Sequence, residues 1–165
     1  MIKYISKITL ASSSPRRIKM LQELGVELRI ISPDVEEDVK PSLSPSQFVM
    51  FLALKKALFV ETQLSKGGED LKDSLLIAAD TIVYANGVIG KPETEKDAFR
   101  MLSFLRGKSH TVYSGVCLLG TEKELRHVFF RATKVFFKNY TDEVINEYIS
   151  GGEPMDKAGG YAIQG

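Results

Sequence analysis

The chain has 165 residues, 44% of them hydrophobic and 26% charged, which excludes a disordered chain and at this length points to a single core. Lys and Arg number 22 against 21 Asp and Glu, a net charge of +1, so nothing draws the whole surface to nucleic acid or an anionic membrane and any anion site has to be built locally. One cysteine, Cys117, and two separated histidines, His110 and His127, exclude a disulfide framework and a Cys- or His-based metal centre; carboxylates and a hard ion such as Mg²⁺ or Mn²⁺ remain.

Ile8-Thr9-Leu10-Ala11 reads as a short buried strand. Ser14 as N-cap and Pro15 at the first helical position then predict a helix over 15–24, with Ile18, Leu21 and Leu24 on one face and Gly25 as its C-cap. A second, Ile-rich strand is predicted over 27–32. Residues 33–44 carry Asp34, Glu36, Glu37, Asp38 and Pro41 and read as a loop. Ser44-Pro45-Ser46-Gln47 is a capping-box start for a long helix to about residue 64. The apolar run 74–79 predicts a central strand covered on both faces and ending at Asp80.

Thr81 to Tyr84 and Val88-Ile89 flank Asn86-Gly87, a strong hairpin signal. Thr94 with Asp97 predicts a helix to about Arg106, ended by Gly107. Two strand-like runs, 111–119 and 125–137, surround the Gly120-Thr121-Glu122-Lys123 turn, and Thr141 caps a last helix closed by Gly151-Gly152. The tail, 153–165, has no period. Strands alternate with helices early and hairpins follow, which gives an α/β protein with a mixed sheet. No apolar run approaches the roughly 20 residues of a membrane helix. Residues 1–7 mix lysines and a tyrosine with apolar residues, unlike a signal peptide, so a cytoplasmic location is expected.

Ser12-Ser13-Ser14-Pro15-Arg16-Arg17 places two arginines in the first turn of a helix whose dipole repels cations there. Either an anion binds between them or both are solvated surface residues. Asp80 is a carboxylate at the expected end of an apolar strand, where open α/β sheets bind ligands, or else an ordinary turn residue. Glu36-Glu37-Asp38 offers a metal carboxylate, Lys55-Lys56 and Lys91 offer phosphate cations, and Asp156-Lys157 and Gln164 lie in a tail of specific composition. Several alternatives fail. Gly107-Lys108-Ser109 lacks the Walker glycine, since Leu102 stands there, and no G-x-G-x-x-G follows a strand. Cys117 has Lys123 where a phosphatase loop needs Arg, and reads as core.

Together, Leu10-Ala11-Ser12-Ser13-Ser14-Pro15-Arg16-Arg17, Ala79-Asp80-Thr81, Gly90-Lys91-Pro92 and the tail from Glu153 through Asp156-Lys157-Ala158-Gly159-Gly160-Tyr161-Ala162-Ile163-Gln164-Gly165 resemble the Maf family of nucleoside triphosphate pyrophosphatases. The resemblance implies a mixed twisted sheet with flanking helices in two lobes around a cleft, related to the inosine-triphosphatase fold. It also implies a divalent-metal-dependent split of a nucleoside triphosphate into monophosphate and pyrophosphate. Carried over by position, Ser12, Arg16 and Arg17 match the phosphate-binding loop, where Ser14 is a further substrate-binding candidate, Glu37 matches the acidic-loop carboxylate and Lys56 the helix lysine. Asp80 matches the catalytic aspartate and shares the metal with Glu37, while Lys91 and Gln164 match the remaining pocket residues.

Arg after Ser-Pro, Thr81 after Asp80 and the tail Tyr161-Ala162-Ile163-Gln164 resemble the members acting on dTTP and UTP. The branch acting on 7-methyl-GTP carries Trp after Ser-Pro. The resemblance covers 1–165 as one domain, without the strand pair and helix that family members usually carry beyond this point. The family's link to septum formation leaves a regulatory nucleotide-binding protein as the alternative to an enzyme. Neither nucleic acid nor membrane is an expected partner; a homodimer is compatible with the resemblance.

Overall fold

A computed structural model of the chain describes residues 7–36, 42–68, 74–120 and 125–163. The elements are β1 (Lys7–Ala11), α1 (Pro15–Gln22), β2 (Leu28–Ile31), α2 (Pro45–Lys66), β3 (Ser74–Tyr84) and β4 (Val88–Ile89). They continue with α3 (Glu95–Leu105), β5 (Ser109–Gly120), β6 (Arg126–Phe136), α4 (Asp142–Ser150) and two short 3₁₀ turns, Glu153–Asp156 and Ala158–Gly160. The strand order is β2-β1-β3-β5-β6, with β4 paired to β3. β1 runs parallel to β2 and β3, Ala11 lying opposite both Ile31 and Ala78, whereas β3 and β4 are antiparallel. The sheet is therefore mixed, as an early run of crossovers followed by hairpins dictates.

The chain forms two compact units, one from 1–80 and 114–130, the other from 81–113 and 131–165. In the first, α2 starts with the expected capping box, Ser44 and Gln47 satisfying each other's backbone donors. Its stripe Val49, Leu52, Ala53, Ala57, Val60 and Leu64 is buried. Part of that stripe packs with Ala11, Leu76, Ala78, Cys117 and Leu119 of the sheet. Gly115 brings β5 against the α2 backbone: a Cβ there would fall 2.3 Å from the Val49 carbonyl oxygen. In the second unit, α3 and α4 pair through Ala98, Leu102, Ile145 and Ile149, with Phe99, Phe137, Tyr148 and Tyr161 packed around them. Among the described residues, each unit thus holds a cluster of buried apolar side chains.

Several expectations are corrected. β3 does not end at Asp80 but continues through it to Tyr84, because a buried partner on α2 compensates the charge and the strand has no reason to stop. Its burial alternates, with Leu76, Ala78, Asp80 and Ile82 buried and Leu75, Ile77 and Ala79 half-buried, so it is not uniformly covered on both faces. α1 ends at Gln22, after which i to i−3 bonds and a left-handed Gly25 turn the chain. None of its residues is buried, and Leu24 is 70% exposed. Ser14 and Thr141 stand at N-cap positions without a side-chain cap bond, whereas the Thr94 hydroxyl does accept from the Asp97 N–H. The expected hairpin forms with a three-residue loop, Ala85, Asn86 and Gly87, in which Asn86 takes the left-handed conformation. Within the tail that lacked a period, Glu153–Asp156 and Ala158–Gly160 form the two 3₁₀ turns.

Candidate active site

β1 delivers Ser12, 4% exposed, to the point where the chain leaves the sheet. The Ser12 hydroxyl accepts the Ser14 N–H at 3.1 Å and so shapes the entry into α1. Ser14 does not cap with its own side chain, and Pro15 occupies the first helical position, where its missing N–H costs nothing. Arg16 is exposed on this turn. Arg17 is half-buried and donates from Nη1 to the Ala79 carbonyl oxygen at 2.8 Å, which gives it a partner within the protein and ties the turn to β3.

The next residue is Asp80. Its Oδ1 lies 2.5 Å from Lys56 Nζ, with Asp80 6% and Lys56 7% exposed. A lysine in the apolar stripe of α2 and an aspartate on the buried face of β3 are each costly alone, and their contact is what makes both tolerable. Lys55, beside Lys56, donates to the Glu36 carbonyl oxygen at 2.6 Å and so anchors the acidic loop to the same helix. Glu37 itself lies outside the described residues. The first unit therefore brings together Ser12, Ser14, Arg17, Lys56 and Asp80, with Arg16 on the same turn.

The second unit brings two other motifs together. The Gly159 N–H donates to the Gly90 carbonyl oxygen at 2.8 Å. Gly159 has φ of +74°, and a Cβ there would fall 2.9 Å from a Val83 methyl, so conformation and space both call for glycine. Lys91 follows Gly90 and is exposed. Lys157 Nζ is bound at 2.5 Å to both the Glu153 carbonyl oxygen and Asp156 Oδ1, which ties this part of the tail together. Gln164 lies outside the described residues.

Sequence reasoning missed one pair. His110, 3% exposed, has Nε2 at 2.5 Å from the Tyr161 hydroxyl. Burial holds the histidine below its ordinary pKa and pushes Tyr161 up to about 12, with Tyr140 adding to the latter. The two residues stand 51 positions apart, and no local pattern links them. For Lys56 a signal did exist: it sits in register with Val49, Leu52, Ala53 and Val60, a charge inside an apolar helical stripe.

Among the described residues no group of three or more His, Cys, Asp or Glu side chains could hold a metal ion. Asp80 is a single carboxylate. Mg²⁺ typically takes one or two carboxylates and completes its shell with substrate phosphates and water. The chemistry of Asp80 fits an ion that also takes phosphate oxygens and water. Among the described residues no helix is long and apolar enough to cross a membrane.

The sequence matches the family described as Maf-like protein over residues 7–165. A dTTP/UTP pyrophosphatase of Caldicellulosiruptor saccharolyticus is 46% identical over 162 residues, 98% of this chain and 80% of that protein. A dTTP/UTP pyrophosphatase of Dictyoglomus thermophilum is 44% identical over 161 residues, 96% of this chain and 80% of that protein. Among solved structures, the Ham1 protein of Staphylococcus aureus gives a TM-score of 0.46 at 15% identity, over 79% of this chain and 71% of that one.

Proposed function

This chain belongs to the Maf-like protein family, and we propose that it hydrolyses a nucleoside triphosphate, dTTP or UTP, to the monophosphate and pyrophosphate. The observation that carries the reading is the buried Lys56–Asp80 pair, one residue along β3 from the carbonyl held by Arg17. A carboxylate kept in a charge-compensated, dry position beside a cationic helix start suits the handling of water next to a polyphosphate.

In this reading the N–H groups at the start of α1, with Ser12, Ser14, Arg16 and Arg17, take the β and γ phosphates. Lys56 holds the Asp80 carboxylate in place. Asp80 accepts the proton of the attacking water, whose oxygen bonds to the α-phosphorus. The bond from that phosphorus to the oxygen bridging to the β-phosphate breaks, and pyrophosphate leaves as a unit. Lys91 contacts the phosphates of the monophosphate half. Gln164 has both a donor and an acceptor and pairs with a pyrimidine edge carrying O4 and N3–H. Glu37 and Asp80 would hold Mg²⁺ or Mn²⁺, which would supply charge neutralisation for the departing group.

The near balance of charge supports no nucleic-acid partner. The proposed setting is the cytoplasm, in a house-cleaning or division-linked role, and a homodimer is the assembly to test by light scattering. The function is tested by incubating the protein with a panel of triphosphates and Mg²⁺ or Mn²⁺ and resolving the products. Turnover of dTTP or UTP is expected. Tight binding without turnover would make the protein a nucleotide-binding regulator instead.

A further inference from the structure

Lys91 has an exposed side chain on a stretch of backbone that is pinned from both sides. It lies between Gly90, which follows β4, and Pro92, which is buried. The proline ring confines the residue before it to extended backbone, so Lys91 has little freedom on that side. On the other side the Gly90 carbonyl oxygen accepts the Gly159 N–H at 2.8 Å. A Cβ at Gly160 would lie 3.9 Å from Pro92 Cγ, so the next tail residue rests beside the proline. Two consecutive tail residues thus bracket Lys91.

That path is a demanding one for the tail. Gly159 and Gly160 both take left-handed backbone, with φ of +74° and +68°. A Cβ at Gly159 would fall 2.9 Å from a methyl of Val83, which pairs with Ile89 in the hairpin leading to Lys91. Directly after the two glycines, two hydroxyls fasten the chain. The Tyr161 hydroxyl lies 2.5 Å from His110 Nε2, and the Tyr148 hydroxyl of α4 accepts the Ala162 N–H at 2.9 Å. His110 is buried against Phe137 and Tyr161, with ring centroids 4.9 and 5.3 Å away, and among the described residues its Nδ1 has no hydrogen-bond partner. A Phe would fill the same space and leave no polar atom unsatisfied. The imidazole is kept at a cost, and what it secures is the Tyr161 hydroxyl, one residue from the pair that brackets Lys91.

We propose that His110 and Tyr148 are positioning residues for Lys91: by fastening Tyr161 and Ala162 they hold Gly159 and Gly160 against Gly90 and Pro92, and so fix the backbone from which the Lys91 ammonium reaches the phosphates. This rests on the phosphate reading of Lys91 given above. A lysine is a point charge on a flexible stem, so the placement of its backbone decides how often the ammonium is within reach of a phosphate oxygen. Neither His110 nor Tyr148 touches a reacting atom in this account. Each acts through the tail on Lys91.

The test measures kcat/KM for dTTP with Mg²⁺ in the wild type, Tyr161→Phe, Tyr148→Phe and Lys91→Ala, and in each Phe variant combined with Lys91→Ala, with thermal unfolding of all. Tyr161→Phe removes the contact with His110 and Tyr148→Phe the contact with Ala162, and both keep the ring. Each alone is expected to lower kcat/KM by about three- to tenfold, as loss of one hydrogen bond allows. In the Lys91→Ala background the same changes should lower it by less than about twofold, because the residue they position is gone. An equal fold-loss in both backgrounds, wild-type kinetics in either Phe variant, or Phe variants that no longer fold would make the fastening a structural one and overturn the proposal. Lys91→Ala with wild-type kinetics would instead overturn the phosphate reading of Lys91 itself.

Discussion

The Arg17 guanidinium donates to the Ala79 carbonyl oxygen at 2.8 Å and so joins the first turn of α1 to the residue before Asp80. Its neighbour Arg16 is exposed on the same turn. Two adjacent arginines with the same motif origin therefore have different duties. Arg16→Ala is expected chiefly to raise KM for the triphosphate. Arg17→Ala should lower kcat as well as raise KM, and lower the melting temperature, because it also frees the strand. Charged hydrogen bonds contribute about 1.5–3 kcal/mol, or roughly tenfold or more in kcat/KM. Identical kinetics and melting for the two variants would contradict this division.

Lys56 and Asp80 make a second test possible. Removing one member of a buried ion pair typically costs about 3–5 kcal/mol, because the other charge is left without compensation. Asp80→Asn should abolish turnover, retain nucleotide binding and lower the urea midpoint. Lys56→Met should lower the midpoint in the same way. Combining the two should recover much of the stability and none of the activity. An active Asp80→Asn protein would move the base elsewhere, with Glu37 next to be tested.

Local elements in both units are legible in the sequence. The Ser44–Gln47 capping box and the hairpin at Asn86-Gly87 depend on residues a few positions apart, and both form. Asp80 misleads because a carboxylate after an apolar run reads as a strand end, and its compensating lysine lies 24 positions away on another element. Ser14 misleads in a smaller way, since Ser12, two residues earlier, takes the role in shaping the helix entry. The clasp of Gly159 on Gly90 and the His110–Tyr161 contact are properties of the assembled second unit. Their residue types alone carry no trace of them.

His110 gives a pH dependence of stability. Its pKa in the folded protein lies below the ordinary value of 6.5 because burial disfavours the charged ring. Between that lowered value and 6.5 the unfolded chain binds more protons than the folded one, so stability rises with pH there. The contribution is fully present above the ordinary value and is lost as pH falls through it. Tyr161 beside the ring, and Tyr140 packed on Phe137, both have raised pKa values and stay neutral in this window. Thermal scans between about pH 7.5 and about pH 5.5 should show a falling midpoint in the wild type and a flatter one in His110→Phe. Parallel curves would remove His110 as the cause.

Gly115 tests the packing of β5 on α2. A Cβ at this position would stand 2.3 Å from the Val49 carbonyl oxygen and 2.9 Å from the Met50 nitrogen, both backbone atoms that cannot rotate away. Gly115→Ala should therefore destabilise by about 1–3 kcal/mol or more, as overpacking does. An unchanged urea midpoint would mean the strand and helix are free to separate there.

In the proposed reaction water attacks the α-phosphorus and pyrophosphate leaves as a unit. The most direct measurement is hydrolysis of dTTP with Mg²⁺ in oxygen-labelled water, followed by mass analysis of the earliest products. The account predicts one labelled oxygen in the monophosphate and unlabelled pyrophosphate. Label in the pyrophosphate would place the attack on the β-phosphorus, and diphosphate with orthophosphate as first products would place it on the γ-phosphorus. Either result would contradict the assignment of Asp80 and the arginine turn to this chemistry.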